Sequence, residues 1–271
     1  MSIFNFKNRK NKEMEKRNES TYGAVEESVE PKPDENAAAE ITPKAEDTAS
    51  KEEKETQPHS RNVYNLIILD ESGSMHAIYD PAITGVNETL QTIREARKEN
   101  PGQNHFVTLV AFDSSHYNEI YHNVPAESAL DITKEQYIPS GMTPLYDAMG
   151  RALMELREHV KDESDVILVT IVTDGYENFS KEFTGASIKA LIEDLKKRNW
   201  VFTYIGANQD VESVAASMSI NNHYAFMATE EGTNEMFRKE RCSRKKFFKK
   251  LNKCDYTSLS DEIKDDYFSE F

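Results

Sequence analysis

Two apolar runs, each stopping at an aspartate, do most to fix what this chain can fold into. Val63-Tyr-Asn-Leu-Ile-Ile-Leu69 leads into Asp70, and Val166-Ile-Leu-Val-Thr-Ile-Val-Thr173 leads into Asp174. Near-continuous apolar runs, rather than alternating ones, belong to strands buried on both faces, as in parallel sheets flanked by helices. The rest of the folded part alternates the two patterns. Ile83, Val86, Leu90 and Ile93 recur at helical spacing until Asn100-Pro101-Gly102. His105–Phe112 reads as a strand, Asn118–Val124 as a short edge strand, and Ala126–Tyr137 as irregular chain. Leu145, Met149, Leu153, Leu156 and Val160 mark another helix, and Ile188, Leu191, Ile192 and Leu195 a third. Trp200–Ile205 is a strand, Val211–Met218 a short helix and Asn222–Ala228 a last strand. The expected fold class is α/β: a doubly wound, mostly parallel open sheet with helices on both faces.

In such sheets, ligands bind outside the carboxyl ends of the strands. Asp70-Glu71-Ser72-Gly73-Ser74-Met75 follows the first strand and puts a carboxylate and two hydroxyls at alternate positions. Ser140-Gly141-Met142-Thr143-Pro144-Leu145 brings a threonine to a Gly/Pro loop before a helix, and Asp174-Gly175 ends the other strand. Asp70, Ser72, Ser74, Thr143 and Asp174 could therefore meet at one sheet edge. All five offer hard oxygen donors with no Cys or His interleaved, which suits Mg²⁺ or Mn²⁺ better than Zn²⁺. Three neutral hydroxyls leave a bound dication less quenched than an all-carboxylate cage would, so it could take one more anionic oxygen from outside.

These three segments, in this order, resemble the von Willebrand factor A domain with its metal-ion-dependent adhesion site, over about residues 61–229. The wording of Leu-Asp-Glu-Ser-Gly-Ser-Met, Thr-Pro-Leu-Tyr-Asp-Ala-Met-Gly, Thr-Asp-Gly-Tyr-Glu-Asn and Tyr-Ile-Gly-Ala-Asn-Gln-Asp is similar to the bacterial intracellular members, some of them tellurite-resistance-associated. The resemblance implies that Ser72 and Ser74 hold a metal directly, and that Thr143 joins when a ligand is engaged. Asp70 and Asp174 would act directly or through water, and a partner's carboxylate would fill the open position. Glu71 departs from the family pattern, in which a small or apolar residue is usual. An extra carboxylate there would weaken attraction for an acidic partner.

Composition sets the ends apart. Only 38% of the 271 residues are hydrophobic and the formal net charge is −15. Residues 1–60 read as a disordered charged leader, too poor in large apolar residues to offset ordering entropy. Its first 17 residues are basic, and from Asn18 to Ser60 it carries 12 acidic residues against 4 Lys. Residues 61–230 read as the folded domain, and 231–271 as a basic helix followed by an acidic tail that could shield it. Arg238–Lys253 holds nine Lys or Arg and one Glu. Docking of that helix on an acidic partner, nucleic acid or membrane is weighed against packing of Met236, Phe237, Phe247 and Phe248 on the domain. The acidic balance argues against nucleic acid. No run reaches the ~18 apolar residues of a membrane span. With Cys242 and Cys254 read as free thiols and no exported leader recognised, the expected location is the cytoplasm.

Asp113 with Ser114 and Ser115 could back the metal site or only turn the chain. His76, Tyr146, Tyr176, Glu177 and Asn178 could form a recognition rim or be bystanders. There is no G-x-S-x-G elbow, Walker A sequence or G-x-G-x-x-G. The leading expectation is a non-enzymatic module that binds a protein partner's Asp or Glu through the metal, with no catalytic residues and no small-molecule substrate. The alternative is a Mg²⁺-dependent phosphoester hydrolase. It would need a base or a phosphate-clamping Lys or Arg beside the metal loops, and the sequence places none there.

Overall fold

The structure, a computed structural model, describes residues 60–254 and 258–268. The expected leader, apart from Ser60, lies outside the described residues. The strands are β1 (Arg61–Asp70), β2 (Gln103–Phe112), β3 (Tyr117–Pro125), β4 (Val166–Thr173), β5 (Trp200–Gly206) and β6 (Asn222–Ala225). The helices are α1 (Tyr79–Glu99), α2 (Leu145–His159), α3 (Gly185–Leu195), α4 (Val211–Ser217), α5 (Glu230–Leu251) and α6 (Asp261–Lys264). They form one six-stranded sheet in the order β3-β2-β1-β4-β5-β6. Every neighbouring pair is parallel except β2 with β3. This is the doubly wound α/β sheet expected from the two apolar runs.

The runs are unbroken because both faces are covered. Val63, Ile67 and Leu69 of β1 and Val166, Leu168 and Val172 of β4 face the core that holds α1 and α5. Tyr64, Leu66, Ile68, Ile167, Val169 and Ile171 face a second core filled by α2, α3 and α4. The chain winds outward from β1 to β2 and β3, then returns through α2 to β4 on the other side of β1. The carboxyl ends of β1 and β4 therefore flank the point where winding reverses, where a crevice opens in such sheets. Asp70 and Asp174 stand at those two ends.

All described residues fall in one compact unit. Helix α5 covers the sheet, with Met236, Phe237, Phe247, Phe248 and Leu251 buried in the α1 core. Leu259 and Tyr267, in the chain after it, are buried in the same core, and Lys250 pairs with Asp266 at 2.5 Å. The packing reading of the four apolar residues on α5 is the one seen. The helix also carries Arg244, fully buried, into the core. Its guanidinium donates to Asn65 Oδ1 and Thr170 Oγ1, both at 2.8 Å, and to Glu240 Oε1 at 2.9 Å. Tyr267 donates to the same Glu240 oxygen at 2.9 Å. Asn65 and Thr170 are the polar interruptions in the two apolar runs, and this buried pair accounts for both.

The α1–α5 crossing depends on Gly85. A Cβ there would lie 2.0 Å from Cδ2 of Phe237, a ring that is itself buried in the core. Alanine normally favours a helix over glycine by about 1 kcal/mol. Gly85→Ala is nevertheless expected to destabilise by about 1–3 kcal/mol, the usual range for overpacking, in urea unfolding.

His105 on β2 sits in the same core, 3% exposed, edge-on to Phe248 with ring centroids 4.5 Å apart. Neither ring nitrogen has a hydrogen-bond partner among the described residues. Burial, and next the Arg244 guanidinium, push its pKa from 6.5 down to about 4. Below pH 6.5 the unfolded chain binds a proton that the folded chain refuses until about pH 4. Stability therefore falls with pH across that window, by about 3 kcal/mol in all. Urea midpoints at pH 7 and pH 4.5 should separate strongly for the wild type, and His105→Phe should narrow the gap.

Candidate metal centre

The first loop is built off the end of β1. Asp70 is fully buried, and its carboxylate accepts the Ser72 amide at 2.7 Å and the Thr173 hydroxyl at 2.6 Å. Its backbone carbonyl accepts the buried Tyr137 hydroxyl at 2.7 Å. The aspartate turn starts a 3-10 turn, Gly73–Ile78, which sets Ser72 and Ser74 on one side with their hydroxyl oxygens 3.2 Å apart. Ser74 then donates to Asp174 Oδ1 at 2.5 Å, from β1's loop across to the end of β4. Asp70, Ser72, Ser74 and Asp174 are thus one connected group. Ser74 is its exposed edge, the other three being buried.

Thr143 is buried on the adjoining loop and is not hydrogen-bonded to that group. Two ties bring its loop close. Gly73 donates its amide to Gly141 O at 3.1 Å. Thr143 exchanges backbone hydrogen bonds with Asn178, its amide reaching Oδ1 at 2.8 Å and its carbonyl accepting at 3.1 Å. Gly141 has φ +65°, and a Cβ there would meet Ser114 Oγ at 2.4 Å. A glycine is needed for this turn to pass beneath the Asp113 loop.

The neighbouring polar residues brace these loops. The Glu71 carboxylate accepts the Ile138 amide, and its carbonyl accepts the Ser140 amide at 2.8 Å. Its charge serves to hold the Ile138–Thr143 segment to β1 rather than to face a ligand. Asp113 turns its own chain and ties the neighbouring loop. It accepts the amides of Ser115 and His116, both at 2.6 Å, and also the Ser140 hydroxyl. Among the suggested rim residues, Asn178 and Glu177 are structural. Glu177 accepts from the Phe179, Ser180 and Tyr146 amides. Tyr176 stays 53% exposed, and with Ile138 and Met142 it leaves apolar surface around the group. The sequence reading missed Thr173, Tyr137 and the Asn178 clamp. Thr173 was visible as the hydroxyl preceding Asp174, whereas Tyr137 lies in a stretch without periodicity.

Two buried carboxylates meet here with no cationic side chain paired to them among the described residues. Burial pushes the Asp70 carboxyl up to about 6 despite the Thr173 and Ser72 hydrogen bonds, and burial raises Asp174 as well. No Lys, Arg or His forms an ion pair with either among the described residues. No group of three or more His, Cys, Asp and Glu side chains there could hold a metal. The donors are instead two carboxylates and three hydroxyls, a set that fits a hard divalent ion in its chemistry.

Beside the Thr143 loop, the Asp113–Tyr117 turn, the start of α2 and the Phe179–Glu182 segment enclose a cleft of about 280 Å³. Arg151 and Lys181 line it. Arg151 is held by both oxygens of Glu182, and Lys181 lies over the Phe179 ring at 4.3 Å.

No protein-family model matches the chain, and no curated protein matches it in sequence. Solved structures do match. The PilB minor pilin from Streptococcus sanguinis has a TM-score of 0.52 at 14% identity, over 69% of this chain and 62% of that one. The pilus adhesin SpaC from Lactobacillus rhamnosus GG, in an open conformation, has 0.50 at 15%, over 69% and 30%. A von Willebrand factor type A protein from Catenulispora acidiphila has 0.48 at 17%, over 68% and 42%. The match spans less than two thirds of each of these chains. At such identities the likeness is one of fold.

Proposed function

We propose that this chain is a metal-dependent protein-interaction module of the von Willebrand A type, of the bacterial intracellular kind. Asp70, Ser72, Ser74, Thr143 and Asp174 would hold Mg²⁺ or Mn²⁺. The observation that carries the reading is the Asp70–Ser72–Ser74–Asp174 group: oxygen donors from two loops, joined by hydrogen bonds, with two buried carboxylates that no protein cation neutralises. When bound, the metal would supply a Lewis-acidic anchor for a partner's Asp or Glu. The residues themselves do the positioning. Thr173 and the Ser72 amide fix the Asp70 carboxylate, Ser74 spans to Asp174, and Asn178 and Glu71 hold the Thr143 loop. Ile138, Met142 and Tyr176 would exclude water around the bridging carboxylate.

We assign no bond-making chemistry to the site. The hydrolase alternative gains Arg151 and Lys181 in the neighbouring cleft, Lys181 standing on the same β4–α3 loop as Asp174, but Arg151 is committed to Glu182 and neither forms an ion pair with Asp70 or Asp174 among the described residues. A cytoplasmic setting accords with Cys242 and Cys254, which form no disulfide. Among the described residues no helix is long and apolar enough to cross a membrane.

The test is a quantitative pull-down with three baits: wild type in Mg²⁺, wild type in chelator, and Asp70→Ala in Mg²⁺. A protein retained only by the first is the expected result. Equal recovery on all three would move the interaction away from this site. Turnover of generic phosphoesters that vanishes in chelator would favour the hydrolase.

A further inference from the structure

The far side of the sheet edge holds a second constellation, unrelated to the oxygen-donor loops. His122 on β3 and His159, the last residue of α2, face each other with Nε2 atoms 3.0 Å apart and rings at 75°. The Glu119 carboxylate sits on the other ring nitrogen of His122. Such a carboxylate fixes the proton on Nδ1 and leaves the Nε2 lone pair to accept from His159 Nε2–H. Moving the His159 proton to its Nδ1 turns both Nε2 lone pairs to one another, with the carboxylate in the second-shell place found behind metal-ligating histidines.

The backbone is bent to produce this facing pair. The β2–β3 register shifts on both sides of Leu109, and Asn123 adopts φ +46° with its amide donated to Thr108 Oγ1 at 3.0 Å. Bulges at sheet edges re-aim side chains. Here the bulge turns His122 toward α2 while Ile120, Tyr121 and Val124 pack against the opposite core. Both imidazoles remain open to solvent, the His122 side chain being 43% exposed.

We propose that His122 and His159 form a metal site of imidazole type for a late first-row dication such as Ni²⁺, Cu²⁺ or Zn²⁺. With metal–nitrogen bonds of about 2.05 Å, a nitrogen separation of 3.0 Å corresponds to an angle of about 94° at the metal. That is the cis angle of octahedral or square-planar coordination, and a tetrahedral ion needs the rings only a few tenths of an ångström further apart. No third His, Cys, Asp or Glu completes a three-ligand group among the described residues, so water fills the remaining positions. Occupancy clasps edge strand β3 to the carboxyl end of α2, at the opposite end of that helix from the Thr143 loop. The site is distinct in chemistry from the oxygen donors around Asp70 and does not rest on them.

Calorimetric titration of Ni²⁺ into the full chain in a Mg²⁺ buffer tests the site. Wild type and Asp70→Ala should each bind one equivalent in the micromolar range. His122→Ala and His159→Gln should each weaken binding at least about tenfold, and Glu119→Gln by about tenfold through its effect on His122. Circular dichroism of these exposed-site variants controls for folding. Ni²⁺ binding that is absent from the wild type, or unchanged in the His122→Ala/His159→Gln double variant, overturns the proposal. So does binding that is lost in Asp70→Ala, which would place the ion among the oxygen donors.

Discussion

Replacing Arg244 by methionine should lower the unfolding free energy by about 3–5 kcal/mol, because breaking one side of a buried ion pair strands the other charge. Glu240 is 1% exposed and would keep only the Tyr267 hydroxyl at 2.9 Å and a 3.4 Å contact from Thr89. Asn65 and Thr170, on the two central strands, would each lose a 2.8 Å donor in the same step. The double variant Arg244→Met/Glu240→Leu removes both charges and should recover the part of the loss due to the stranded carboxylate, while the cost of leaving Asn65, Thr170 and the Tyr267 hydroxyl without these partners remains. Urea unfolding at pH 7 reads this directly through shifted midpoints at unchanged slope. A single variant within about 1 kcal/mol of wild type would mean that Arg244 leaves the core at little cost, against its full burial.

The second large effect lies at Asp70, and its sign depends on the cation. Without a dication, the protein at neutral pH must keep two neighbouring carboxylates ionised in a buried site, or protonate one. Burial already raises both. Asp70→Asn removes that cost while its amide can still meet Ser72 and Thr173, so in chelator the variant should be more stable than wild type by about 1–3 kcal/mol. In Mg²⁺ at a hundred times the dissociation constant, the wild type gains about 2.7 kcal/mol and the variant gains nothing. The variant's lead should therefore shrink by about 2.7 kcal/mol between chelator and Mg²⁺, and the order of the two melting curves reverses wherever the lead in chelator is smaller than that. A merely structural role for Asp70 would leave the variant behind in both.

How much of this could be read from the sequence varies with the kind of signal. The sheet was legible because β1 and β4 are nearly unbroken apolar runs, and because each helix between strands keeps a clear apolar stripe. The ends of those strands located Asp70 and Asp174, and proximity of Ser72 and Ser74 followed from the same loop. Thr143 was legible as a loop residue before a helix. What holds it there was not, since the Asn178 clamp, the Glu71–Ile138 bond and the Gly73–Gly141 contact join segments far apart in sequence with no periodicity to announce them. Glu71 shows the difference plainly: beside the motif it reads as an extra charge at the metal, and in the fold its carboxylate is used on a backbone amide. Helix α5 was legible as a helix that packs through its four apolar residues, but the burial of Arg244 was not. Nine basic residues between Arg238 and Lys253 suggest a solvated or docking surface. Yet Arg244 shares a face with Phe237 and Phe248 and answers the two polar interruptions in the central strands. The paired blemishes, Asn65 and Thr170, were the available clue. The last strand ends at Ala225 rather than Ala228, because Thr229 is already the cap of α5, its hydroxyl accepting the Gly232 amide at 3.1 Å.

The measurement that bears most directly on the proposed metal site is equilibrium titration of Mn²⁺, followed by calorimetry, into wild type and Asp70→Asn at neutral pH. One equivalent bound by the wild type and none by the folded variant is the expected result. Equal binding by both, or no binding by the wild type, would contradict a cation held by Asp70, Ser72, Ser74, Thr143 and Asp174.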